Sequence, residues 1–221
     1  MTTTTELFTA IAAGDEAAVS ALLAADPGLA EATNDQGLSV LVFALYHRRR
    51  DFAEGLATAR RTPLTLPEAA ALGRLERVRE ILTQNPGGIE ERSADGFTAL
   101  HYGAFFDHPE LVAVLLEHGA DVASEAANPS RVQPLHSAIA ARGFEVSRLL
   151  LAHGADPNAR QQGGFTPLQG AAGGDRRDLV ELLLAHGARR DDRADDGRTA
   201  ADVARDKGHA EMAAFLAAGS G

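Results

Sequence analysis

The sequence predicts an all-α protein, an elongated solenoid of stacked helix-turn-helix units, and three observations carry that prediction. First, "LLEHGAD" at Leu115 to Asp121 returns as "LLAHGAD" at Leu150 to Asp156 and as "LLAHGAR" at Leu183 to Arg189, so that His118, His153 and His186 lie 35 and 33 residues apart. Second, a different block keeps the same period. "DGFTALHYGA" at Asp95, "RVQPLHSAIA" at Arg131, "GGFTPLQGAA" at Gly163 and "DGRTAADVA" at Asp196 make Phe97, Val132, Phe165 and Arg198 equivalent, at steps of 35, 33 and 33. A unit of about 33 residues is too small to bury its own apolar face, so neighbours must stack in register. Third, the chain is 45% apolar yet only 5% aromatic, which leaves Ala, Leu and Val, the residues of thin, closely stacked helices.

Taken in order, "ELFTAIAAGDEAAVSALLAADPG" from Glu6 reads as an opening helix pair within residues 6–37. "NDQGLSVLVFAL" at Asn34 resembles "SADGFTALHYGA" and leads into a degenerate unit over 38–62; the step from Leu41 to Leu66 is only 25 residues, so the connection there is shortened or absent. "LPEAAALGRLERVREILTQNPGG" belongs to a unit over 63–96. It aligns with the next at an offset of 34, Val78 on Val112 and Leu82 on Leu116, with Asn85-Pro86-Gly87 as its altered ending. Full units follow over 97–131, 132–164 and 165–197, and 198–221 supplies partial closing helices, giving about six units with the outer ones as caps. The helical reading is sharpest in "DLVELLLAHGA", where Leu179, Leu182, Leu183 and His186 fall on one face and Gly187 stops the helix with φ > 0, as Gly119 and Gly154 do in their copies. Thr166 and Pro167 start the shorter preceding helix, because proline pre-sets φ and has no amide to lose.

On these residues the chain resembles the ankyrin repeat family. The pattern "G-x-T-P-L-H-x-A-A", then "L-L-x-x-G-A-D", matches Gly164 to Ala172 and Leu183 to Ala188, and the likeness is strongest from about Thr65 onward. The resemblance implies an ankyrin repeat α-solenoid forming a single domain over 1–221, each unit a pair of antiparallel helices with a protruding β-turn finger. It also implies that His101 and His136, in the "TPLH" slot, tie a finger to its neighbour. Gln169 and Asp202 stand in that slot in the last two units, so the tie is expected to weaken toward the C-terminus.

The composition excludes several kinds of chemistry. With no cysteine there is no disulfide, thiolate metal site or cysteine nucleophile. The formal charge is -10: 9 basic against 16 acidic side chains up to Glu110, and 12 against 15 after it, which argues against non-specific nucleic-acid or anionic-membrane binding. "HRRR" at His47 to Arg50 is the one basic run, and without interleaved aromatics it reads as an inter-helix turn. "MTTTTELFTAIAAGDE" lacks the basic start and unbroken apolar run of a signal peptide, and no membrane-length apolar segment follows, so a soluble cytoplasmic protein is expected. Lys207 is the only lysine, which with the Ala and Arg load suggests a GC-rich, bacterial genome. The recurrent His118, His153 and His186 each precede a helix-ending glycine, where an imidazole faces the negative end of the helix dipole. Helices of successive units lie about 8 to 10 Å apart, too far for one ion to collect all three rings. No catalytic residue, cofactor or metal is implied.

That leaves binding. By the resemblance, a partner lies along a concave face made of finger tips and the exposed sides of the first helices. Phe97 on a finger, with Phe105 and Phe106 at the end of the following helix, are the candidate anchors, since exposed aromatics make good interface contacts. Equivalent positions elsewhere are Val132 with Ala140 and Ala141, Phe165 with Gly173 and Gly174, and Arg198 with Asp206 and Lys207. Two extra residues enlarge the finger around Asn128, Pro129, Ser130 and Arg131, a further candidate contact. The expected function is a non-enzymatic scaffold holding a protein partner of unidentified kind, the chain itself a monomer by default. The alternative is an obligate regulatory or chaperone-like subunit of an enzyme complex.

Overall fold

The structure, a computed structural model, describes residues 3–218; residues 219–221, the end of the predicted closing segment, lie outside it. Among the described residues there are fourteen α-helices and no β-strand. None of those helices is long and apolar enough to cross a membrane. The helices follow one another as seven pairs, and the backbone divides into two compact units, Met1–Ala99 and Leu100–Gly221.

The N-terminal unit holds α1 (Thr3–Ala13) with α2 (Glu16–Ala25), α3 (Val40–Tyr46) with α4 (Arg50–Ala59), and α5 (Leu66–Leu72) with α6 (Leu75–Gln84). Helices of two turns are unstable alone, because nucleation costs more than a few hydrogen bonds return. Burial sustains them: every residue of α5 is buried, and α3 buries Val40, Leu41, Val42, Ala44 and Leu45. Caps set where they start. Ser39 accepts from the Val42 amide, and Thr65 forms a capping box with Glu68, whose carboxylate takes the Thr65 amide at 3.0 Å. Two fingers project here, each closed by an isolated antiparallel bridge, Thr33 to Ser39 and Arg92 to Thr98. Between α4 and α5 there is no finger; six residues, 60–65, run straight across, as the 25-residue step requires.

The C-terminal unit contains α7 (Ala99–Phe105) with α8 (Pro109–Glu117), α9 (Pro134–Ala141) with α10 (Phe144–Ala152), α11 (Pro167–Gly173) with α12 (Arg177–Ala185), and α13 (Ala200–Asp206) with α14 (Ala210–Ala218). The segment read from sequence as partial closing helices thus forms a pair, and α13 packs on α11 as α11 packs on α9. The second helices follow suit, α10 lying between α8 and α12. Leu111, Leu115, Leu150, Leu179 and Leu183 are almost wholly buried along these contacts, each contributing about 1.5–3 kcal/mol of transfer free energy.

Candidate functional site

Five side chains share one repeat position: Glu68, His101, His136, Gln169 and Asp202, each at the first turn of a first helix. His101, 1% exposed, donates Nε2–H to the Val132 carbonyl at 2.9 Å, and His136 donates Nε2–H to the Ala159 carbonyl at 3.1 Å while its Nδ1 accepts the Gln133 amide at 3.3 Å. These imidazoles therefore tie a helix start to the next finger. The expected weakening does not occur at Gln169. Its amide oxygen accepts the Thr166 N–H at 2.8 Å and its Nε2 donates to the Arg198 carbonyl at 2.7 Å, so one amide performs both halves of the histidine's task. Asp202 has only acceptors; it takes the Thr199 amide and hydroxyl and the Arg205 guanidinium, which hold its carboxyl down to about 2.

The three recurrent histidines close helix ends. His118 and His153 donate Nδ1–H to the carbonyls of Val114 and Leu149, each at 2.8 Å, as second donors beside their own backbone amides at 3.1 Å, and Gly119, Gly154 and Gly187 follow with φ of 85°, 90° and 91°. The basic run is also structural. A Cβ at Gly14 would overlap the Arg49 guanidinium, and Arg50 donates to the Leu72 carbonyl at 2.7 Å, so both side chains brace neighbouring inter-helix turns.

The predicted contact residues fall into distinct settings. In the N-terminal unit Phe97 is half-buried on its finger, its carbonyl accepting the Ser93 amide at 2.9 Å. In the C-terminal unit Phe105 is 39% exposed, standing edge-on to Phe106 at 5.1 Å, and Phe106 in turn stacks on the buried Tyr102 at 6.2 Å. The enlarged finger is internally braced: Glu125 pairs with Arg131 through bonds of 2.9 and 3.0 Å, Asn128 takes the Ser130 amide, and the Ser130 carbonyl receives the Gln162 amide of the next finger at 2.8 Å. Val132 is half-buried, with its carbonyl shared between Ala126 and His101. Phe165 and Arg198 meet one another, the guanidinium 5.6 Å from the ring centroid, and Asp196 and Asp206 hold the same guanidinium at 2.7 and 3.2 Å. A small cavity of about 130 Å³ lies beside Phe165, floored by Ile139, Ala140 and Gly170.

Phe144 escaped the sequence reading. It is 40% exposed at the first residue of α10, and Gly143 before it lies so close to the Asp107 carboxylate that a Cβ would collide, which sets the Phe144 turn against the turn that follows Phe105 and Phe106. An apolar residue opening a helix gives no sequence signal of exposure; the neighbouring turn decides it.

A family model of ankyrin repeats, three copies long, matches this chain over residues 66–161 and again over 135–221. The chain belongs to the ankyrin repeat family. Ankyrin repeats generally mediate protein–protein interaction, and the family is mostly non-enzymatic. Among curated proteins, this ankyrin chain is 34% identical over 104 residues to human BCL-6 corepressor-like protein 1, covering 47% of the chain and 6% of that protein. It is 33% identical over 99 residues to mouse B-cell lymphoma 3 protein homolog, covering 45% and 22%. It is 40% identical over 79 residues to Regulatory protein NPR5 of Arabidopsis thaliana, covering 36% and 16%. The ankyrin chain therefore corresponds to less than a quarter of each of these relatives.

Proposed function

We propose that this chain is a non-enzymatic module that holds a protein partner, and that in the C-terminal unit the contact is anchored at Phe105. The observation that supports this reading is the exposure of Phe105 on a rigid backing: Phe106 meets its edge and Tyr102 supports Phe106 from the core. An aromatic ring already fixed before binding loses little conformational freedom on contact, which is what makes an anchor. Phe144, equally exposed, extends the apolar surface, while Asn128, Arg131 and Val132 on the enlarged finger and Phe165 with Arg198 supply further contacts. Phe97 is proposed as a contact of the N-terminal unit by itself.

The test is affinity capture from lysate of the native host, comparing the wild-type chain with Phe105→Ala and Phe144→Ala, each checked for native circular dichroism. Loss of the same captured protein, at about tenfold or more weaker affinity, is the expected outcome for Phe105→Ala. Undiminished capture by both folded variants overturns this anchor. Recovery of one enzyme at fixed stoichiometry would favour the obligate-subunit reading instead.

A further inference from the structure

We infer that the cavity beside Phe165 in the C-terminal unit is a socket for one aliphatic side chain, carried by an extended segment of the protein partner. The inference rests on the reading of this chain as a protein-holding module, but not on Phe105 as its anchor. One residue opens the socket. Ala69, Tyr102, Ser137 and Val203, which follow Glu68, His101, His136 and Asp202, are all buried, with at most 6% of their surface exposed; Gly170, which follows Gln169, is exposed. A glycine inside a helix weakens it relative to alanine. Gly170 is not among the residues with positive φ, so the backbone does not demand glycine there. What its missing side chain leaves is space: a Cβ built on Gly170 stands 3.1 Å from Cγ2 of Ile139 and projects toward the neighbouring helix, α9.

The lining selects the occupant. Ile139, Ala140, Phe165, Pro167 and Gly170 give the cavity apolar walls, and Ala140 and Gly170 are exposed, so its floor stays open to solvent. The polar groups beside them are already used: His136 accepts at Nδ1 from Gln133 and donates at Nε2 to Ala159, and the Thr166 hydroxyl donates to Gln169 at 3.3 Å. No carboxylate, lysine or arginine lines it, so a charged side chain entering would lose its water and meet no counter-charge. Size narrows the choice further. At about 130 Å³ the cavity is close to the roughly 150 Å³ that encloses a six-carbon apolar molecule, which suits the branched or linear chains of leucine, isoleucine and methionine. Gln161, also on the lining, makes no side-chain hydrogen bond among the described residues. Its carboxamide offers a donor and an acceptor, the pair that the main chain of an extended segment requires on each side of an inserted side chain.

Selection of a random peptide library on the full chain, followed by fluorescence polarisation of the enriched peptides, tests this. The enriched peptides are expected to share one aliphatic residue, whose replacement by alanine weakens binding about tenfold or more. Gly170→Ala places a methyl group in the socket while raising helix propensity, and is expected to weaken the same peptides about fivefold or more with the circular dichroism unchanged. Ile139→Val removes one methylene from the wall, and is expected to reduce the preference for leucine over phenylalanine at the shared position. Enrichment of peptides without a common aliphatic residue, or equal binding by folded Gly170→Ala, overturns the socket while leaving the protein-holding reading in place. Failure to enrich any peptide overturns the socket and counts against that reading too. If Gly170→Ala does not fold, Ile139→Val decides, and an unchanged preference between leucine and phenylalanine overturns the inference.

Discussion

At the scale of single residues, His136 shows how the repeat position constrains chemistry. Its ring accepts at Nδ1 and donates at Nε2, an arrangement available only to the neutral imidazole. Burial is the larger influence and pushes its pKa below the ordinary 6.5, while the carbonyls of Ala159 and Phe165 pull partly the other way. A depressed value in the folded state means that the unfolded chain binds the proton first as pH falls. The stabilisation is therefore complete above about 6.5 and is lost progressively below it. Gln169 performs the same bonding without titrating. His136→Gln is accordingly expected to lie within about 1 kcal/mol of wild type at neutral pH and to lose less stability between roughly pH 7.5 and 5.5. Urea denaturation at both pH values measures this; an unchanged pH slope would remove His136 as its source. Asp202 works in the acid range, its contribution present above 3.8 and lost as pH falls toward about 2.

At the scale of elements, the turns inside each helix pair carry a conformational load that no residue type announces. A left-handed residue occurs in all seven: Gly14, Gly73 and Gly208, but also Arg48, Asp107, Arg142 and Asp175. The αL conformation costs a residue with a Cβ about 1–2 kcal/mol, against the roughly 0.5–1 kcal/mol of chain entropy that glycine loses on folding. Arg142, at φ 64°, has an exposed side chain, and the bond it receives from Arg176 goes to its backbone carbonyl. Arg142→Gly is therefore expected to stabilise the chain by about 0.5–1 kcal/mol, or about 1–4 °C in thermal midpoint by calorimetry. The converse holds at Gly187, φ 91° with open space around a would-be Cβ, where Gly187→Ala is expected to cost about 1 kcal/mol by strain alone.

These elements also show what the sequence made legible. The helix-ending glycines and the paired histidines were readable because they recur in phase and belong to local motifs. The left-handed arginines and aspartates were not, since their conformation is imposed by the closing of a pair. Glu68 was missed because it stands at the histidine position with a different chemistry, and Phe144 because its exposure depends on the turn at Asp107. The 25-residue step announced a missing finger; that its neighbours would meet above the gap depended on contacts between Gly37 and Ala94 that no spacing encodes.

At the scale of the whole molecule, the decisive quantity is how the positive charges are used. The net charge is -10, but a local excess of arginine could still hold a polyanion. At least thirteen of the arginines, Arg60, Arg131, Arg176 and Arg198 among them, lie within 4 Å of a carboxylate oxygen. Further arginines make contacts within the fold: Arg49 at Gly14, Arg92 on the Gly96 carbonyl, and Arg190 on the Phe215 carbonyl and ring. Polyanion affinity comes from counterion release by several free cations acting together, and a guanidinium already paired with a carboxylate releases little. The chain is therefore expected to pass unretained through a heparin column at about 0.15 M salt, where phosphate-binding proteins with several free cations stay bound. Retention at that salt, abolished by replacing Arg48, Arg49 and Arg50 together with alanine in a chain that still folds, would show that the basic run is more than a brace between turns.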